Sequence, residues 1–134
     1  MKDSPVLEEV IETYEKIKSE KKPYTIKILG KELTVLPNVF SPKYFTDSKY
    51  FAEEIPKIVK NKKLLEIGTG TGVVSIFCAL SGANVTATDI NPAAIKNCKM
   101  NVHNCQLPPT EVGGMNSLNI LCLLRSPLSP WLTT

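Results

Sequence analysis

The residues most able to do chemistry in this chain lie in two short stretches. The first, Leu64-Leu65-Glu66-Ile67-Gly68-Thr69-Gly70-Thr71-Gly72, reads as a buried strand that ends in an acid and opens into a glycine loop. The second stretch closes on Asp89, 21 positions after Gly68. A strand, a glycine loop, a helix and a second strand tipped by an acid form the unit that a nucleoside-containing cofactor needs. The glycines let the backbone approach the ligand where a Cβ would clash. The acid at the tip of the second strand can accept hydrogen bonds from both ribose hydroxyls.

Spacing separates two cofactor classes. A dinucleotide fingerprint requires G-x-G-x-x-G. Here the third glycine comes one residue early and Val73 stands in the fingerprint's last place, so the pattern is E-x-G-x-G-x-G. In this form, and with Val35-Leu36-Pro37-Asn38-Val39-Phe40-Ser41-Pro42 before it and Ala87-Thr88-Asp89-Ile90-Asn91-Pro92-Ala93-Ala94-Ile95 after it, the chain resembles the class I S-adenosylmethionine (SAM)-dependent methyltransferases. More narrowly it is similar to their small-domain group, which includes release-factor glutamine and ribosomal RNA guanine methyltransferases. The likeness runs from about Tyr24 to Leu107 and takes in Asn101 and Asn104.

The resemblance implies an α/β, Rossmann-like fold and SAM as cofactor, with no metal. It implies that Gly68, Thr69, Gly70 and Gly72 pack against the methionine part, and that Glu66 helps to anchor the cofactor's amino end. It also implies that Asp89 grips the ribose, that Ile90 flanks the adenine, and that the region of Phe40 and Thr46 lines the same cleft. Plainer readings stand beside these. The glycines could form an ordinary strand–helix turn. Glu66 could be a solvated strand end, and Asp89 an acid flanking a helix N-terminus. Ile90 and Phe40 could be packing residues.

The elements that must position these groups follow from periodicity. Residues 4–20 read as a helix with Ser4 as N-cap and Pro5 at its first position. Its stripe of Val6, Leu7, Val10, Ile11, Tyr14 and Ile17 is expected to pack on the domain rather than on a partner helix. Tyr24 to Leu36 alternates as a β-hairpin turning at Gly30. Asp47 is placed to cap a following helix, in which Pro56 should impose a kink or restart. Leu64–Ile67 and Val85–Thr88 read as sheet strands. The apolar run from Val73 to Leu80 is a buried helix closed by Gly82. Asn91-Pro92 opens a helix whose Ile95, Cys98 and Val102 face inward. The alternation implies a parallel, doubly wound sheet.

Composition bounds the rest. The 134 residues suit one small domain, and a net charge of +3 without clustered excess is no nucleic-acid footprint. Lys60-Asn61-Lys62-Lys63 reads as a solvated edge, and Lys16, Lys18, Lys21 and Lys22 as complements to a helix C-terminus. Cys78, Cys98, Cys105 and Cys122 form no C-x-x-C pair, and His103 lacks a ligand set, so neither zinc nor a disulfide is expected. Free thiols suit a reducing, cytoplasmic setting. The N-terminus lacks a signal-peptide core, and no run approaches the ~20 apolar residues of a membrane span.

The chain divides into 1–59 (helix, hairpin and lead-in helix), 60–107 (the cofactor-binding β-α-β-α half) and 108–134 (an atypical tail). The tail holds only Glu111 and Arg125 of the 29 charged residues and four of the ten prolines. That break is consistent with an alternative exon or a frameshift. Leu118–Leu124 is apolar without clear strand alternation and does not read as the family's third strand. The fold expected is therefore a truncated one, with a two-stranded core open at both edges and prone to self-association. The resembling group holds its acceptor with an Asn/Asp-Pro-Pro-Tyr-type motif. This sequence has none, since Leu107-Pro108-Pro109-Thr110 lacks the flanking residues, and no residue reads as catalytic. The methyl acceptor in the parent family is a nitrogen of protein or RNA. Two rivals remain at this stage: a catalytically inactive truncated isoform acting as an interaction fragment, and an NAD-dependent oxidoreductase.

Overall fold

Valine, threonine and alanine alternate along Asn84–Thr88, and that two-residue period is what a half-covered strand requires. Val85 and Ala87 are buried, while the intervening positions are partly open. In the computed structural model, which describes residues 4–107 and 121–124 of the chain, this strand is the centre of a three-stranded sheet. In chain order the elements are α1 (Pro5–Ser19), β1 (Tyr24–Ile28), β2 (Lys31–Val35), α2 (Asp47–Val59) and β3 (Lys63–Ile67). They continue with α3 (Val73–Leu80), β4 (Asn84–Thr88), α4 (Pro92–Asn104) and β5 (Leu121–Leu124).

β3 and β4 pair in parallel, from Lys63 opposite Asn84 to Ile67 opposite Thr88. The crossover between them is α3, apolar on every side and buried over most of its length. A helix of that composition is stable only inside a core. It ends in a Schellman motif: the Gly82 N–H donates to the Ala79 carbonyl and the Ala83 N–H to that of Cys78. Gly82 takes the left-handed conformation the motif needs, with φ +110°. α4 begins as expected, with the Asn91 side chain accepting from the Ala93 N–H at 3.0 Å and Pro92 following. Ile95, Cys98 and Val102 all face inward.

The hairpin β1–β2 turns through Leu29 and Gly30, both at positive φ, in the manner of a two-residue hairpin loop. It does not stand apart. Ile28 and Leu33 join Ala52 of α2 and the residues of α3, β4 and α4 in one apolar cluster.

Four expectations need correction. The stripe of α1 is not buried: among the described residues it shares only an open hollow with Asn38, Phe40 and Phe45, no residue of the helix is buried, and Val6, Val10, Ile11 and Tyr14 are more than half exposed. α2 runs unbroken through Pro56, since a proline late in a helix forfeits one backbone bond and only one further turn follows it. Asp47 is the first residue of that helix rather than its cap, which is Thr46. The sheet has more than two strands, because β5 pairs antiparallel with β4, Thr88 opposite Leu121 and Val85 opposite Leu124. One edge expected to be open is therefore covered, while among the described residues β3 still ends the sheet on the other side. The remainder of the tail and the side chain of Cys122 lie outside the described residues.

Candidate cofactor-binding site

The loop leaving β3 folds back over the end of β4. The N–H groups of Gly68 and Thr69 both donate to the Thr88 carbonyl, at 2.8 and 2.9 Å. Gly68, Gly70 and Gly72 have φ of +80°, +56° and +84°, a region that side-chain-bearing residues rarely adopt. Their surroundings differ. A Cβ on Gly68 would meet no protein atom within 4 Å. A Cβ on Gly72 would lie 2.6 Å from the Cys98 sulfur and 3.2 Å from its Cα. Gly68 therefore faces open space, and Gly72 lets α3 start against α4.

Glu66 turns its carboxylate under the loop. Its Oε2 accepts from the Thr69 hydroxyl at 2.9 Å and from the Ser75 hydroxyl on α3. Burial raises the Glu66 pKa above its ordinary value, the two hydroxyls pull it back, and the nearby charge of Asp89 pushes it up again. Asp89 closes the other side. Its Oδ2 accepts from the Gly70 N–H at 2.8 Å and its Oδ1 from the Asn91 N–H at 2.9 Å. Each oxygen keeps a second lone-pair direction for a further donor.

These groups meet in a cavity of about 370 Å³, within the range of small-ligand sites. Glu66, Gly68, Thr69, Gly70 and Asp89 line one wall. The facing wall is Phe40 and Pro42 of the loop after β2, with Ser48 and Phe51 of α2. Phe40 stacks on Phe45 with ring centroids 4.2 Å apart. Two of the expected residues are not on the lining. Gly72 is buried beneath the loop, and Ile90 is 86% exposed. Thr46 is not on it either; its place is taken by Ser48 and Phe51. A larger hollow of about 820 Å³ between Ser19 and Lys27 contains none of the motif residues.

Thr71 was not singled out by its sequence. It lines the same cavity, is almost wholly buried, and its hydroxyl has no hydrogen-bond partner among the described residues. A buried hydroxyl left unpaired is costly. The alternation of threonine with glycine from Gly68 to Gly72 was the available signal.

Among known proteins, the methyltransferase small domain family matches residues 30–119 of the chain. The chain belongs to that family. Within it, similarity is shared with proteins of several names. A Methanocaldococcus jannaschii protein named for N5-glutamine methyl transfer is 44% identical over 77 residues, covering 57% of this chain and 38% of that protein. EEF1A lysine methyltransferase 3 of Mus musculus is 46% identical over 50 residues, 37% of this chain and 21% of the relative. Ribosomal RNA small subunit methyltransferase C of Acinetobacter baumannii is 32% identical over 97 residues, 67% of this chain and 29% of the relative. The chain thus spans well under half the length of these relatives. The solved Pyrococcus abyssi tRNA (uracil-54, C5)-methyltransferase, in complex with S-adenosyl-L-homocysteine, shares the fold. Its TM-score is 0.53 at 24% identity, over 62% of this chain and 21% of that one. The Rossmann-like α/β assignment holds, with β5 added antiparallel at its edge.

Among the described residues no group of histidine, cysteine, aspartate and glutamate could hold a metal, and no helix is long and apolar enough to cross a membrane.

Proposed function

We propose that this chain binds SAM and forms the cofactor-holding part of an enzyme that transfers a methyl group to a nitrogen of protein or RNA. One observation carries the reading: Gly68, without a Cβ, and Asp89, with a spare lone pair on each oxygen, face one cavity beside an unpaired Thr71 hydroxyl. The ribose hydroxyls would donate to Asp89 without displacing the backbone N–H groups it already holds. Gly68, Thr69 and Gly70 would bring the backbone against the methionine part. Glu66, its charge partly buried, would face the cofactor's ammonium. Gly72 would serve beneath the loop, and Ile90, open to solvent, would be free to lie along the adenine.

Bound SAM supplies a methyl group on a positively charged sulfur, ready for in-line transfer. This chain's residues hold and orient; proximity and alignment are the main catalytic resource of such a reaction. None of the described residues reads as an acceptor-binding group. The relatives' names span protein glutamine, protein lysine and ribosomal RNA, which supports a nitrogen of protein or RNA as the acceptor class. The Cys78 and Cys105 thiols, which form no disulfide, suit a reducing cytoplasm. Among the described residues β3 ends the sheet, with Leu65 61% and Ile67 82% exposed, a surface suited to self-association.

Titration calorimetry with S-adenosylhomocysteine tests the reading. Saturable binding is expected for the chain and is lost on Asp89→Ala, while Asp89→Asn keeps acceptor capacity and binds more weakly. A folded chain that binds NAD and not S-adenosylhomocysteine refutes it.

A further inference from the structure

Three asparagines of the α4 region make a single set of contacts with β2 of the hairpin and the chain just after it. Asn91 donates to the Asn38 carbonyl at 2.7 Å. Asn97 accepts from the Leu36 N–H at 2.9 Å and donates to the Thr34 carbonyl at 2.7 Å. Asn101 accepts from the Thr34 N–H and donates to the Thr34 carbonyl, both at 2.8 Å. The contacted residues are Thr34 in β2, Leu36 just after it, and Asn38 in the turn that follows, where φ is +63°. α4 runs beside this segment and supplies with side-chain amides what a neighbouring strand would supply with backbone. The outward-facing backbone groups of Thr34 at the edge of β2 are thereby satisfied.

Asn101 goes one step further. Its amide also donates to the Thr71 carbonyl at 2.9 Å. That carbonyl shares a peptide plane with the Gly72 N–H, which donates to the Thr69 carbonyl at 2.9 Å. Holding the Thr71 oxygen therefore fixes the orientation of the peptide that ends the glycine loop. Asn97 makes a natural control. It lies on the same helix face one turn earlier, is as fully buried, and shares the Thr34 carbonyl, yet makes no bond to the loop.

We infer that Asn101 is a positioning residue for the cofactor loop, locking the Thr71–Gly72 peptide to the hairpin so that both walls of the cleft are held as one body. The hairpin runs directly into the Phe40–Pro42 wall, so the amide sets the gap between that wall and the glycines. The effect on cofactor affinity rests on the reading of the cleft as a SAM site; the locking of the peptide does not.

The test compares Asn97→Ala with Asn101→Ala in the full chain. Both variants should lose stability. Only Asn101→Ala should weaken S-adenosylhomocysteine binding, by about tenfold or more, with Asn97→Ala within about threefold of wild type. Without any ligand, Asn101→Ala should also speed amide exchange at Gly72, and Asn97→Ala should not. Equal effects of the two variants on affinity and on Gly72 exchange overturn the inference. If Asn101→Ala fails to fold, the wild-type chain decides. Adding S-adenosylhomocysteine should slow exchange at the Thr34 amide more than at the amides of β1, and no such difference overturns the coupling. A wild-type chain that binds no S-adenosylhomocysteine refutes the cofactor reading instead, and the ligand-free exchange comparison still judges Asn101.

Discussion

Replacing Gly72 by alanine should be among the most damaging single-methyl changes available in this fold. Two terms add. At φ +84° a Cβ crowds the backbone, at a cost of roughly 1–2 kcal/mol. The same Cβ would sit 2.6 Å from the Cys98 sulfur and 3.2 Å from both its Cα and its Cβ. Relieving such contacts in a packed interior costs roughly a further 1–3 kcal/mol. The sum, roughly 2–5 kcal/mol, is a large part of the roughly 5–15 kcal/mol that holds a small domain together. Gly68→Ala isolates the first term. Its φ is +80°, but its Cβ would meet nothing within 4 Å, so only the backbone cost of roughly 1–2 kcal/mol applies.

Urea denaturation of four variants measures this: Gly68→Ala, Gly72→Ala, Cys98→Ala and the Gly72→Ala/Cys98→Ala pair. Removing the sulfur relieves the 2.6 Å contact and leaves those at 3.2 Å. The pair should therefore be more stable than the sum of its single losses predicts, by roughly 1 kcal/mol or more, as is usual for contacting residues. Strict additivity, or a Gly72→Ala loss no larger than that of Gly68→Ala, refutes the claim that this glycine exists to let α3 start against α4. The ligand readout runs the other way. Gly68→Ala fills the cavity wall and should abolish S-adenosylhomocysteine binding while the chain remains folded.

Three further outcomes are expected. Glu66→Gln should be more stable than wild type near neutral pH, because burial raises the Glu66 pKa above 4.5 in the folded state. Protonation therefore favours the fold; that contribution is complete below pH 4.5 and is lost as pH rises through the folded value, so the two melting curves should converge in acid. Leu33→Ala, at a fully buried position shared by hairpin and core, should cost roughly 2–5 kcal/mol in denaturant unfolding. A chain that begins at Thr13 should melt within a few degrees of the full chain, since no residue of α1 is buried; a loss of more than about 1 kcal/mol would mean that α1 is packed in solution.

The parts of this fold that were legible in the sequence are those where one residue type answers one local demand. Gly30 and Gly82 mark turns whose φ is positive, and Asn91-Pro92 marks a helix start. The apolar run of α3 reads as a helix only through its place between a glycine loop and Gly82. Asp89 was placed by its distance from the loop, and it does line the cavity. What stayed hidden depends on partners distant in the chain. The stripe of α1 has the period of a packed helix, but period records a capacity to bury a face and not the presence of something to cover it. β5 is four residues of leucine and cysteine, too short and too uniformly apolar for a two-residue period to appear. Ile90 is as apolar as a wall residue should be, yet its exposure depends on where the chain turns after Asp89.

The asparagines of α4 show the same limit from the other side. A polar residue on a helix suggests solvent, and at i, i+4 spacing Asn97 and Asn101 would ordinarily mark an exposed face. They are fully buried because the edge of β2 presents unpaired N–H and carbonyl groups at the one place where α4 crosses it. A primary amide carries both a donor and an acceptor and can meet both demands at once. Leucine would bury more apolar surface but remove the acceptor of the Leu36 N–H at position 97, or the acceptor of the Thr34 N–H and the donor to the Thr71 carbonyl at position 101, and a buried backbone group left unpaired costs more than that burial gains. The demand that selects these residues is set more than 60 positions away, and no local pattern around Asn97 or Asn101 encodes it.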